Sequence, residues 1–246
     1  MISDEINGIK YLITNQNDCI QRFLLNKQQW NSSVFEYISE MIKLNNLKHF
    51  LNVGSHIGTI ALPVSKKIDK VSCIEAYPET YNHLNENIKF NNLTNVKSYN
   101  FAVGNSEEDI YFMSCDQICP IEKKDRLKNN SGGMHIFTQN DIDENIRSSC
   151  LTDKKIKNKM CRLDNVEIDN FDIMLVDIEG CEYDFLLGSK EKIMKNKPII
   201  IIEIWNDNKR KMENMKQTRD DVINLILNMG YTLQGSNGED FLFTSL

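Results

Sequence analysis

Three short stretches pair chemically capable residues with turns that would expose them. The turn Gly54-Ser-His-Ile-Gly58 follows an apolar run, Phe50 to Val53, and leads into a helix-like block from Thr59 to Lys67. A strand, turn and helix in that order present backbone N–H groups to the adenosine-bearing part of a cofactor. Glu75 closes the next apolar run, Lys70 to Glu75, about 20 residues on, where a carboxylate can accept both hydroxyls of a ribose. Asp177 ends a third run, Phe171 to Val176, at Asp177-Ile-Glu-Gly180, the position at which open α/β sheets meet their ligands. A carboxyl there sheds part of its hydration, which raises its pKa and makes it a better proton acceptor. Glu203, at the end of Pro198 to Trp205, and His135, in the turn Ser131-Gly-Gly-Met-His135, are the further candidates for proton transfer or acceptor binding.

Each feature has a plainer use. The two glycines could serve tight helix–strand packing, and Glu179 and Glu182 suit the first turn of the helix that follows them. What is absent narrows the cofactor. The middle glycine of G-x-G-x-x-G is His56, no P-loop occurs, and none of the eight tyrosines has Lys four residues on. A cofactor with adenine and ribose but no phosphates fits, and S-adenosylmethionine (SAM) is the common one.

Positioning these residues requires an alternation of strands and helices. Pro78 to Asn91 carries Tyr81, Leu84 and Ile88 on one helical face, with Pro78 in the first turn. Val96 to Val103 reads as a third strand, Asp109 to Met113 as an extra one, Glu182 to about Lys195 as a helix and Arg219 to Met229 as another, closed by Gly230. Tyr231 to Leu233 and Phe241 to Phe243 form a terminal hairpin. The expectation is an α/β fold: a mainly parallel, doubly wound sheet over residues 50–246 with a C-terminal antiparallel hairpin. A helical preface over 1–49 precedes it, with Val34, Ile38, Met41 and Ile42 on one face, and a polar insertion interrupts it at about 114–160. So long a polar stretch inside a compact domain is expected to act as a lid over the acceptor site, from about 120 to 160.

Composition sets outer limits. The 246 residues are 41% hydrophobic, enough for one sizeable core, and 29 basic against 35 acidic side chains leave a net charge of −6. An acidic surface disfavours nucleic acid. No run approaches the ~18 apolar residues of a membrane helix, and no leader pattern opens the chain, so a cytoplasmic location is expected. The seven scattered cysteines suit a reducing compartment. Cys115 and Cys119, with His135 beyond, lack the second tight pair of a structural zinc site, so no metal is expected.

The blocks Phe50 to Thr59 (FLNVGSHIGT), Cys73 to Leu93, Asn100 to Asn105 (NFAVGN), Ser131 to His135, Cys161 to Val166 (CRLDNV), Phe171 to Ser189 (FDIMLVDIEGCEYDFLLGS) and Pro198 to Ile204 resemble the FkbM-type, class I SAM-dependent methyltransferases. The most specific part is similar to that family's D-x-E-G-x-E signature. The resemblance implies a Rossmann-like methyltransferase domain and methyl transfer, usually to an oxygen of a sugar, polyketide or other hydroxylated metabolite. It implies a cofactor site of Asn52, Gly54, Ser55, His56, Gly58, Glu75, Ala76, Asn100, Phe101, Ala102 and Asp177. There Gly54 and Gly58 admit the cofactor, N–H groups near Ser55 and His56 face its carboxylate, Glu75 holds the ribose, and Asn100, Phe101 and Ala102 lie beside the adenine. Asp177 is the first candidate for the general base, with His135 and Glu203 next. Asn52 departs from the family's usual Asp; its amide oxygen still accepts, without charge attraction for the methionine ammonium.

The expected partner is a small-molecule or sugar acceptor, favoured by the Asp, Asn, Ser and Lys of the insertion. Two readings compete. N-methylation of an amine would use a different fourth-strand end, since the Asn/Asp-Pro-Pro-aromatic motif of nucleic-acid amino-methyltransferases is missing. A non-catalytic adenosine-binding domain is the other, to which Asn52 lends support.

Overall fold

A computed structural model of the chain describes residues 1–112, 132, 136–139, 156–213 and 215–245. His135, the Cys115 and Cys119 pair, and most of the expected lid lie outside the described residues.

The elements run α1 (Cys19–Leu25), α2 (Ser32–Asn45), β1 (His49–Val53), α3 (Ala61–Val64), β2 (Lys70–Ile74), α4 (Pro78–Phe90), β3 (Val96–Tyr99), β4 (Ala102–Val103), β5 (Glu108–Phe112), β6 (Ile136–Thr138) and β7 (Ile156–Cys161). They continue with β8 (Ile173–Val176), α5 (Glu182–Gly188), α6 (Lys190–Asn196), β9 (Ile199–Glu203), α7 (Asp207–Met212), α8 (Arg219–Leu227), β10 (Tyr231–Asn237) and β11 (Asp240–Ser245). Seven strands form the main sheet in the order β3-β2-β1-β8-β9-β11-β10. The five from β3 to β9 are mutually parallel, and β11 enters antiparallel between β9 and β10. This is the expected Rossmann-like methyltransferase architecture with its C-terminal antiparallel strands.

The central strands are apolar on both faces because both are covered. One face packs Phe50, Val71, Ile173 and Ile201 against α2, α3 and α4; the other packs Leu51, Met174, Ile200 and Ile202 against α5, α6 and α8. Residues before α1 fold back through bridges pairing Ile2 with Leu12 and Ile6 with Ile9. Their Ile6, Ile9, Tyr11 and Ile13 join the first core. Among the described residues no helix is long and apolar enough to cross a membrane.

Two expected elements divide. The run Val96 to Val103 bends at Asn100 and Phe101, where the Asn100 amide donates to the carbonyls of Glu75 (2.8 Å) and Ala76 (3.2 Å). Beyond the bend, β4 leaves the main sheet and pairs with β7 in a second, four-stranded sheet of order β4-β7-β5-β6. The helix from Glu182 breaks at Ser189, where Asp164 accepts from the N–H groups of Glu191 and Lys192 and so caps a new helix.

At the same break Gly188 lies against the turn after β4. A Cβ at Gly188 would stand 1.8 Å from the carbonyl oxygen of Gly104, a backbone atom with little room to yield. Gly188→Ala is expected to lower stability by about 1–3 kcal/mol, the usual range for overpacking. A lower urea midpoint at unchanged m-value is the check.

Candidate active site

Parallel register brings the three distant stretches together. Asn52 lies between Cys73 and Leu175, and Val53 between Ile74 and Val176, so the residues that follow these strands emerge at one edge. There they line a cavity of about 460 Å³. Of the residues singled out in the sequence, Asn52, Gly54, Ser55, His56, Glu75, Ala76, Phe101, Ala102, Asp177 and Glu203 are in its wall.

The glycine turn is held by β2 and β8. Gly54 has φ +81°, and a Cβ on it would lie 1.8 Å from the Asp177 carbonyl oxygen. The Asp177 N–H donates to the Val53 carbonyl at 3.0 Å. Gly54 is therefore required first by the approach of β8. Gly58 (φ +93°) is absent from the wall; its missing Cβ makes room for Leu62 and Leu84. Asn100 is also absent from it and straps the Glu75–Ala76 backbone instead.

Glu75 is anchored at both oxygens, accepting from the His56 N–H at 2.8 Å and the Tyr77 N–H at 2.9 Å. Burial pushes its carboxyl up to about 7 against the pull of those amides. His56 has φ +49°, and burial lowers its imidazole to about 4, so it stays neutral at pH 7. Asn52 is 2% exposed, and its Nδ2 has no hydrogen-bond partner.

The opposite side is acidic. Burial first, then the neighbouring Glu203, Glu179, Glu182 and Asp240, hold Asp177 well above the usual carboxylate range. Glu179, at φ +54°, is pushed to about 7 by burial and then by Glu203. Glu182, wholly buried, accepts from the Gly180 N–H at 2.9 Å, stands 3.7 Å from the buried Arg210, and is raised to about 7 by burial. The Trp205 indole N–H donates to Glu203 at 2.8 Å. Among the described residues no Lys or Arg lines the cavity.

Several wall residues lay outside the sequence reading: Ile20, Phe23, Trp30 and Asn31 from the preface, and Tyr77 and Phe112, whose rings meet edge to face at 5.2 Å. Tyr77 directly precedes the Pro78 that starts α4, a signal that could have found it; the preface residues carry no such mark.

The Methyltransferase FkbM domain matches residues 52–233. The chain belongs to the FkbM methyltransferase family. Its domain is a class I SAM-dependent methyltransferase. A structure of Methyltransferase FkbM from Methylobacillus flagellatus KT superposes at TM-score 0.51 and 14% identity, covering 92% of this chain and 52% of that one. The chain thus spans about half the length of that relative. A Staphylococcus aureus structure assigned as a caffeoyl-CoA O-methyltransferase gives TM-score 0.54 and 13% identity, with 94% and 92% covered. At such identities both support the fold alone. Among curated proteins none matches significantly.

The FkbM domain's residues fit SAM. The buried, unpartnered Asn52 amide offers a donor to the methionine carboxylate, Glu75 keeps free lone pairs beside its two amide bonds, and among the described residues the wall has no cation that a phosphate would demand.

The raised carboxyls make stability depend on pH. Between the ordinary carboxyl value of 4.5 and about pH 7 the folded state holds protons on Glu75, Glu179 and Glu182 that the unfolded chain has released, so stability should fall as pH rises through this range. His49 and His56, both lowered from 6.5, act in the opposite sense below about pH 6.5 and offset part of the fall. Without SAM, the urea midpoint is expected to drop across this range, and Glu179→Gln to flatten the drop. A flat wild-type profile would refute the raised values.

Proposed function

We propose that this FkbM domain transfers a methyl group from SAM to a hydroxyl of a small molecule or a sugar, with Asp177 as the base. The observation that carries the reading is the convergence, in one cavity, of the glycine turn and Glu75 with a partly dehydrated carboxyl at the end of β8. SAM, when bound, supplies a methyl already activated by its sulfonium. The protein's own task is then to align donor and acceptor and to take one proton.

The residues divide that work. Asn52 and the N–H groups around Ser55 and His56 would hold the amino-acid end, Glu75 the ribose, and Ala76, Phe101 and Ala102 the adenine side. Asn100 and Gly58 would act through the backbone they position. Asp177 would accept the hydroxyl proton, and Glu203, its carboxylate oriented by Trp205, would bind the acceptor. In this reading residues 50–246 are the catalytic domain and residues 1–49 a segment that completes its cavity. A cavity wall in which Glu75 and Glu179 are raised to about 7 offers both donors and acceptors, which supports a hydroxylated substrate.

Glu75→Ala is expected to weaken SAM binding by about 1.5–3 kcal/mol, the worth of hydrogen bonds to a charged acceptor; calorimetric titration reads it, and unchanged affinity would remove the ribose assignment. Asp177→Asn should leave SAM affinity intact and lower turnover by roughly 10²–10⁴-fold. Mass spectrometry with methyl-labelled SAM and a glycan pool measures it; unchanged turnover would take Asp177 out of the chemistry.

A further inference from the structure

The segment that carries Phe23, Trp30 and Asn31 crosses the open edge of the sheet. At one end the Gln29 amide donates to the Thr59 carbonyl at 2.6 Å, which fixes the strap to the glycine turn. At the other, the Asn31 side chain lies near enough to the Asp240 carboxyl to favour its charged form, and Asp240 is the register partner of Glu203. The strap therefore passes over the ends of β1, β8 and β9, the edge from which Asp177 and Glu203 face the cavity. Asn31 holds φ +47°, which turns the chain sharply into α2.

Two rings sit on this strap. Phe23 and Trp30 meet edge to face with centroids 5.1 Å apart, and both line the cavity. Phe23 is nevertheless 42% exposed, and Trp30 is only half-buried. Large aromatic rings left accessible in a cavity wall, opposite carboxyls, are arranged for a ligand with one apolar face and one polar edge. The strap precedes residue 52, where the family match starts, so this wall belongs to the part of the chain outside the family pattern.

We propose that Phe23 and Trp30 form the acceptor-docking platform, seating an uncharged hydroxylated ring by its C–H face and turning one hydroxyl towards Asp177 and Glu203. The proposal rests on the O-methyl reading and narrows its acceptor. An acyclic alcohol has no face to lay on two rings. An anionic acceptor would meet four carboxyl groups, on Glu75, Asp177, Glu179 and Glu203, with no Lys or Arg among the described wall residues.

The test uses the full chain loaded with S-adenosylhomocysteine and, as probes, the methyl pyranosides of glucose, galactose, mannose and rhamnose. Saturation-transfer NMR should show contact with ring C–H protons of at least one pyranoside. Phe23→Ala and Trp30→Ala should weaken that binding by about tenfold or more while S-adenosylhomocysteine affinity, read by calorimetry, is unchanged; Trp30→Phe should restore most of it. No transfer to any pyranoside, or equal transfer in the alanine variants, overturns the platform. If labelled methyl then passes from SAM to glycerol or catechol, and Trp30→Ala does not alter the KM, O-methyl transfer stands and only the platform falls.

Discussion

Two backbones meet in the site with no room between them for a side chain. Gly54 admits no side chain because the Asp177 carbonyl occupies the space, and the Asp177 N–H is bonded back to Val53. The turn proposed to receive the cofactor and the residue proposed to take a proton are thus parts of one rigid junction between β1 and β8. Alignment of donor and acceptor to within fractions of an ångström is what a methyl transfer asks of a protein. A junction made of backbone cannot drift by rotamer change. The same junction fixes where Asn52 and Glu203 must lie, since each is one strand away in register.

A cost accompanies that arrangement. Packing Asp177, Glu179 and Glu182 around the ends of β8 and β9, beside Glu203, dehydrates several like charges at once, and the raised pKa values of Asp177, Glu179 and Glu182 record it. The protein offsets part of the cost locally. Glu182 accepts from Gly180 and lies near Arg210, Glu203 is bonded by the Trp205 indole, and Lys209 stacks over that indole at 3.6 Å. Among the described residues Asp177 gains no comparable partner. In the proposed role of base, its destabilised ionised form would make the carboxylate a stronger proton acceptor, so the penalty and the chemistry would have one cause.

The sheet and the main site were legible because they rest on local signals. Short apolar runs ending in Gly54, Glu75 and Asp177 mark strands of a parallel sheet, and a parallel sheet gathers all its strand ends at one edge. The signals failed where tertiary contacts decide. Nothing in Val96 to Val103 announces that Asn100 will bond two carbonyls and turn the chain out of the sheet. Nothing in Glu182 to Lys195 announces that Asp164 will cap a second helix. Gly58 and Gly54 look alike in sequence, yet one makes room for Leu62 and Leu84 and the other for a carbonyl. The strap was the least legible part. Its α1 helix has seven residues, too few for a periodic face, and the segment that carries its rings is fixed by the Gln29 bond to Thr59, a residue further along the chain.

Asn52 ties these points together. An Asp there would add a further carboxylate to a wall that already carries Glu75, Asp177, Glu179 and Glu203, at 2% exposure. Each added like charge would push the others further from ionisation and move Asp177 away from the state a base must hold. An amide avoids this. Its own cost is a buried N–H without a partner, about 1–3 kcal/mol while it stays unmet. A ligand carboxylate meeting that N–H would recover the penalty on binding, so the departure from Asp exchanges attraction for an ammonium against donation to a carboxylate. The zwitterionic end of SAM offers both groups, and the more acidic the surrounding wall, the more the second exchange is favoured.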